Sequence, residues 1–258
     1  MIGFLIKKTF FDAWDNLIGL VVSNLGFLVC VMAGLGSFQV SASVLPLRIL
    51  CLILSFGLLS FHIIGIATIT DSYSKYQRAG LSGYKKGFKH YWRHGLFLWL
   101  MLLIIFCMAV IIIPFYLQMK SVVGLIFGVI AFWLLLSLII AIPYYIPLMV
   151  RFSGDKPLKT LKKCYLVSVS NTGTTIFLLF YNILQIGLGL VTAGLLFSGT
   201  GMMLSAADTF KLLMYKIDYL EENPETNPKE IPWEDILFEE KENVGHRTLK
   251  GMIFPWKD

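Results

Sequence analysis

Charge is what this chain has least of: 15% of its 258 residues are charged, while 57% are hydrophobic and the mean hydropathy is +0.73. A water-facing surface carries charge on roughly a quarter of positions, so this scarcity excludes an ordinary soluble domain and makes lipid the natural solvent. Cysteine is scarce as well. Cys30, Cys51 and Cys107 lie in apolar runs and Cys164 in a polar connection, with no CxxC pair, which excludes a disulfide framework and a zinc ribbon. Among the four histidines, His90 and His94 have a metal-like spacing, four apart in FKHYWRHG, but no third ligand or HExxH glutamate accompanies them. Neither a metal nor a cofactor is expected. The polar stretches hold no nucleophile elbow and no Ser-His-Asp order, and they are too short for a catalytic domain. An enzyme would have to work within the membrane; the expectation is a non-enzyme.

What the chain does have is long uncharged runs. The first follows Asp15 and reads LIGLVVSNLGFLVCVMAGLGSF; Leu50 to Thr70, Leu96 to Leu117 and Val122 to Val150 come next. Each is long enough to cross an apolar layer of about 30 Å at about 1.5 Å per residue. Pro143 and Pro147 should kink the fourth or mark its interface. From Thr174 to Ala207 there is no charge at all, which as one straight helix would run about 50 Å. A turn at Ser198 to Gly201 instead divides the region up to Ile217 into two crossings. The expected fold is therefore an all-α polytopic membrane helix bundle over residues 1–220, with six spans, five being the alternative, and a short cytosolic tail over 221–258. Asp12 and Asp15, ahead of the first run, argue against a cleaved signal peptide.

Lysine and arginine collect in alternate connections, as the positive-inside rule requires. Lys7 and Lys8 precede the first run, six basic residues from Lys75 to Arg93 separate the second and third, and Arg151, Lys156, Lys159, Lys162 and Lys163 separate the fourth and fifth. The other two early connections hold only Arg48 and Lys120. Both termini are then expected in the cytosol. Residues 1–220 carry 17 basic and 6 acidic side chains, the tail 5 and 10, so a +11 body bears a −5 tail. Beside a membrane such an excess points to anionic headgroups rather than nucleic acid. Lys85, Lys86, Lys89, His90 and Arg93, with Phe88 and Trp92, read as an amphipathic helix in the interface. Together with Lys159, Lys162 and Lys163 they offer contacts for headgroups or a protein partner. Trp233, Phe238, Phe254 and Trp256 are more than a solvating tail needs, and are expected to anchor it on the basic connections or on a partner, a disordered tail being the alternative.

Some polar residues sit where lipid should be. Gly199-Thr-Gly201 has the look of a phosphate loop, but Met202 and Met203 stand where a Walker lysine and its hydroxyl residue belong, so the glycines are read as a turn. A helix starting there places Asp208 about 15 Å along it, where an acid costs about 2.5–3.5 kcal/mol and must face protein or water. One reading pairs Asp208 with Lys211, three residues on; the other puts His62, Asn182, Gln185 and Asp208 around one polar pocket. A third has each of them bond a neighbouring helix separately. Gly124 and Gly128 form a GLIFG match, read as internal packing first and a homodimer contact second.

The stretch FFDAWDNLIGLVVSNLGFLV and the segment YYIPLMVRFSGDKPLKTLKK accompany a repeated layout of basic amphipathic stretch and span, GYKKGFKHYWRHGLFLWL and PLKTLKKCYLVSVSNTGTTIFLLF. Through these, residues 10–220 resemble the YesL-like family of small bacterial membrane proteins. The resemblance implies a bacterial inner-membrane location and a family often encoded beside carbohydrate-uptake and polysaccharide-degradation genes. That family has no assigned activity and supplies no catalytic residues, and the long acidic tail departs from its shorter pattern. The expected function is an accessory or scaffold protein that recruits a partner through basic cytosolic loops and the tail. The alternative is a small-solute or lipid transporter using the region of His62 and Asp208.

Overall fold

A computed structural model describes residues 1–227, 231–245 and 247. It begins with α1 (Ile2–Asp15), a helix that buries Leu5, Lys8, Thr9, Phe11 and Asp12 on one face. At Asn16 the chain passes into α2 (Leu17–Gln39), which is apolar on every side and so belongs in a core or in lipid. The next two helices, α3 (Leu45–Ser74) and α4 (Leu81–Cys107), pack closely along their length. Backbone meets backbone at Gly87, where an added Cβ would lie 2.7 Å from the Ile64 carbonyl oxygen. The basic segment expected to lie in the interface is the first half of α4, set off from the apolar half by a kink at Tyr91 (φ −108°, ψ 18°).

One π turn, Met108–Ile112, joins α4 to α5 (Ile113–Gln118). Pro114 explains it, because proline has no N–H for the carbonyl four residues back and its ring presses on that carbonyl. The chain then folds back into α6 (Val122–Ala141), capped by Ser121, whose hydroxyl accepts from the Gly124 N–H at 3.1 Å. Gly124 and Gly128 face α5: a Cβ on Gly124 would come within 2.6 Å of the Tyr116 carbonyl. The two glycines are thus covered within the chain, as internal packing requires. Pro143 sits in a 3₁₀ turn, Ile142–Tyr144, that bends the run into α7 (Tyr145–Arg151), as its sequence predicts. The remaining helices are α8 (Pro157–Ser170), α9 (Thr172–Val191), α10 (Gly199–Glu222) and, in the tail, the short α11 (Trp233–Ile236) and α12 (Phe238–Val244).

Among the described residues five stretches are long and apolar enough to cross a membrane: Leu17–Gln39, Leu45–Ser74, Leu81–Gln118, Val122–Arg151 and Thr172–Val191. Ile18, Val122, Leu190 and Val191 point outward, part of an apolar exterior too extensive for water and suited to lipid. The sixth expected crossing, α10, is less apolar because Asp208, Lys211, Lys216, Asp218, Glu221 and Glu222 interrupt it. It is nevertheless central, packing on α1, α2, α3, α7 and α9 and burying Leu204, Ser205, Asp208, Thr209 and Leu212.

The connection before α10 differs from the expected one. The turn is residues 192–198, with Gly194 at φ 78°, a conformation that only glycine adopts freely. Gly199 and Gly201 already belong to the first turn of α10. They are small because neighbours press on them: a Cβ on Gly199 would come within 2.6 Å of the Phe27 ring, and one on Gly201 would overlap the Gln185 amide. Asn24 holds the turn, donating to the Leu195 carbonyl and accepting from the Thr200 N–H, both at 3.0 Å. The latter is one of the N–H groups that a helix start leaves without a partner.

Candidate functional site

The densest polar constellation lies where α1, the end of α3, the middle of α10 and the tail meet. Lys8 and Asp12 are four apart on α1 and so share its buried face. The Lys8 ammonium donates to Asp12 Oδ2 at 2.6 Å and to the Ser74 carbonyl at 2.9 Å, and lies 3.5 Å from both Asp208 Oδ1 and Glu240 Oε2. Ser74 ends α3, where carbonyls lack helical partners and the helix dipole favours cations. Lys211 donates to the same carbonyl at 3.0 Å and to Glu240 Oε1 at 2.6 Å. Thr9 donates to Asp208 Oδ2 at 2.9 Å, and Tyr76 and Tyr215 donate to Glu240 at 2.7 and 2.9 Å. Tyr76 holds a left-handed backbone (φ 59°), a strain of about 1–3 kcal/mol for a residue other than glycine, and so brings its ring to 4.0 Å from the Lys8 ammonium.

These contacts set protonation at the non-spanning groups. Burial opposes the charged form of Lys8, yet the nearby carboxylates of Asp208 and Asp12 raise its pKa well above the ordinary lysine value. Burial also works against the Glu240 carboxylate, but hydrogen bonds from Lys211 and Tyr76 and the charge of Lys8 hold it below the usual range. Lys8 is a fixed cation and Glu240 a fixed anion at neutral pH.

The tail therefore docks on α1 and α10, and not on the basic connection around Lys159, Lys162 and Lys163. Those lysines are engaged locally or face outward: Lys159 and Lys163 each lie 2.6 Å from Asp155, Lys163 also stands over the Phe152 ring, and Lys162 is exposed. Leu237 and Trp233 join Leu5 and Leu212 in a small apolar cluster, Arg247 makes a two-pronged bond to Asp15 at 2.9 and 2.8 Å, and Lys7 donates to the Gly245 carbonyl. Phe238 is 59% exposed and does not anchor the tail. Phe254 and Trp256 lie outside the described residues.

The four residues assigned to one polar pocket do not converge. His62 donates from Nε2 to the Ser23 carbonyl at 2.9 Å, since a carbonyl only accepts, which leaves Nδ1 to accept from Tyr84 at 3.4 Å. It borders a cavity of about 360 Å³ against α2 and the start of α4, with Gly19, Tyr73 and Tyr84. Asn182 accepts from Ser205 at 3.0 Å and borders a separate apolar cavity of about 270 Å³ with Phe27, Leu98 and Met203. Gln185 is buried against Gly201, its amide without a hydrogen-bond partner. Asp208 borders neither cavity and bonds to α1. The Asp208–Lys211 pair is likewise replaced: each turns to a different element because Lys8 and Glu240 fill the space between them and their neighbours.

His90 and His94 are separated by the Tyr91 kink. His94 is buried, bonding to Tyr145 at 3.0 Å and the Asp155 carbonyl at 3.1 Å, while His90 is exposed against the Tyr91 ring. Lys85, Lys86, Lys89 and Arg93 are exposed on the same half of α4. Lys8, Thr9, Asp12, Asn24, Tyr76 and Glu240 escape the sequence reading. One signal was present: Lys8 and Asp12, four apart on an otherwise apolar helical face. No family model matches the chain, and neither a curated protein nor a solved structure does.

Proposed function

We propose that the protein is a multi-pass accessory or scaffold protein of a bacterial inner membrane, crossing it six times with both termini in the cytosol and recruiting an acidic protein partner to its basic end. The observation that carries this reading is where unpaired charge lies. Lys85, Lys86, Lys89, Arg93 and Lys162 are exposed, with no ion pair among the described residues, whereas the polar groups inside the bundle are dispersed. A transport route needs such groups along one passage, and His62 and Asn182 border different cavities while Asp208 borders neither of them. Six crossings are favoured because α1 and the tail touch at one end of the bundle, which requires an even number, and α10 supplies the last with its acid shielded by α1. Anionic headgroups provide a background attraction for the same cations. Membership of the YesL-like family, and with it an association with carbohydrate uptake, belongs to this proposal and rests on the stretches quoted above.

The test is purification of the tagged full-length protein from its own membrane, beside a variant carrying Lys85→Gln, Lys86→Gln, Lys89→Gln and Arg93→Gln. A stoichiometric protein retained by the wild type and lost from the variant supports recruitment. A wild type that purifies alone with bound solute or lipid overturns it in favour of transport. A compartment reporter fused to the C-terminus should read cytosolic, and an external signal would refute the count of six.

A further inference from the structure

The cluster at the junction encloses more negative than positive charge. Two ammonium groups, Lys8 and Lys211, face three carboxyl groups, Asp12, Asp208 and Glu240, and all except Lys211 are at most 4% exposed. The surroundings do not repair the difference. Tyr76 from the α3–α4 connection, Tyr215 from α10 and Tyr181 from α9 face the cluster as phenols, Arg247 is paired with Asp15, and the open pocket on the Lys211 side is lined by Lys75 and Arg151 against Asp71 and Asp218, which carry no net charge between them. An uncompensated charge in so dry a place is costly. Two oxygens also have no donor, Asp12 Oδ1 and Asp208 Oδ1, on carboxyls within hydrogen-bond reach of one another. A hydrogen bond between two carboxyl groups needs one proton.

We propose that Asp12 and Asp208 hold one proton between them, and that this proton is bound and released together with docking of the tail. Withdrawing the tail removes Glu240 and leaves two ammonium groups against two carboxylates, which balance without the proton. The docked form thus holds one proton more than the undocked form, and by linkage docking weakens as pH rises. Burial, and after it the charge of Asp208, push the Asp12 carboxyl up to about 8, which marks the upper end of that window. A metal ion is a poor substitute. The Lys8 ammonium already lies against both carboxyls, and among the described residues no three His, Cys, Asp or Glu are placed to share a metal. Proton binding of this kind holds whether or not the basic end recruits a partner.

The test uses the full chain in lipid nanodiscs, with cleavage by a glutamate-specific protease at Glu239, held in the docked helix α12, reporting tail release. Rates are normalised to a free peptide of the α12 sequence. Cleavage should rise by up to about tenfold per pH unit as pH climbs from about 6 to about 8 and level off above that, and Asp208→Asn, neutral at every pH, should flatten the rise with the tail still docked. Infrared spectra of the wild type at neutral pH should show a buried carboxylic acid band that Asp12→Asn and Asp208→Asn each remove. A wild-type profile without the rise, an Asp208→Asn profile that rises like the wild type, or spectra without the band would overturn the proposal. Sodium or potassium changing wild-type cleavage at fixed pH and ionic strength would replace the proton by an alkali cation. Should Asp208→Asn fail to fold, the wild-type profile and the Asp12→Asn spectrum decide.

Discussion

Asp208 and Lys211 share a turn of α10 and do not pair with each other. Asp208 accepts from Thr9 at 2.9 Å and lies 3.5 Å from Lys8, both on α1, whereas Lys211 reaches Glu240 of the tail at 2.6 Å. One turn at the centre of the bundle thereby fastens the first helix and the last.

Lys8 is the member of this junction whose loss should be felt most. Lys8→Met leaves Asp12 and Asp208 buried without their nearest cation, and removing one partner of a buried ion pair costs about 3–5 kcal/mol. Thr9→Val, which deletes one hydrogen bond to a charged group, should cost less, about 1.5–3 kcal/mol. Denaturant unfolding in mixed micelles ranks the two, and a Lys8→Met protein as stable as Thr9→Val would contradict the ion-pair account.

Tail docking should also fail in acid. Glu240 is held below the usual carboxylate range, so its contribution is present above the ordinary glutamate value, about 4.3, and is lost as pH falls through its lowered docked value. Cleavage at Glu239 should therefore increase at the acid end, and Glu240→Gln should show raised cleavage near neutrality with no further acid increase. An unaltered acid limb in Glu240→Gln would assign the loss to another group.

Asn24 closes the α9–α10 turn through both ends of its amide. In Asn24→Ala the Leu195 carbonyl and the Thr200 N–H lose their side-chain partner, at about 1–3 kcal/mol for each group left buried and unsatisfied. Asn24→Asp keeps the acceptor for Thr200 but loses the donor and buries a charge, so it should be no more stable than the alanine variant. Unfolding measurements on the two variants check the order.

Gly87 tests the α3–α4 contact. In Gly87→Ala the new methyl meets backbone, the Ile64 carbonyl at 2.7 Å, which cannot rotate aside, and overpacking of this kind costs about 1–3 kcal/mol. Gly173→Ala, with nothing within 4 Å, should be neutral or gain from better helix propensity. Equal melting temperatures for the two would mean that the helices separate without penalty.

Helix class and the placing of most boundaries were legible because they follow from runs of residues: the uncharged stretches, Pro143 at its bend, and basic residues in alternate connections. The turn before α10 lies a few residues earlier than the sequence suggests, since Gly199 and Gly201 resemble turn glycines and reveal their role only once Phe27 and Gln185 press on them. The pocket failed for a related reason. Depth along a helix says how far a side chain lies from the surface but not which way it faces, and His62 and Asp208 face opposite neighbours, Ser23 and Tyr84 for one, α1 for the other. The junction itself was hidden because its acids and lysines come from opposite ends of the chain, and no local pattern links Lys8 to Glu240.

Thr9 and Asp208 are 199 positions apart. At a synthesis rate of about 5–20 residues per second, some 10–40 s separate their emergence from the ribosome. For all of that time Lys8 and Asp12 lack the acids and lysine that later surround them, and neither can settle into an apolar place alone. The helix made first therefore finds its packing partners only once α10 has been made, so the beginning of the chain is among the last parts of the molecule to be seated.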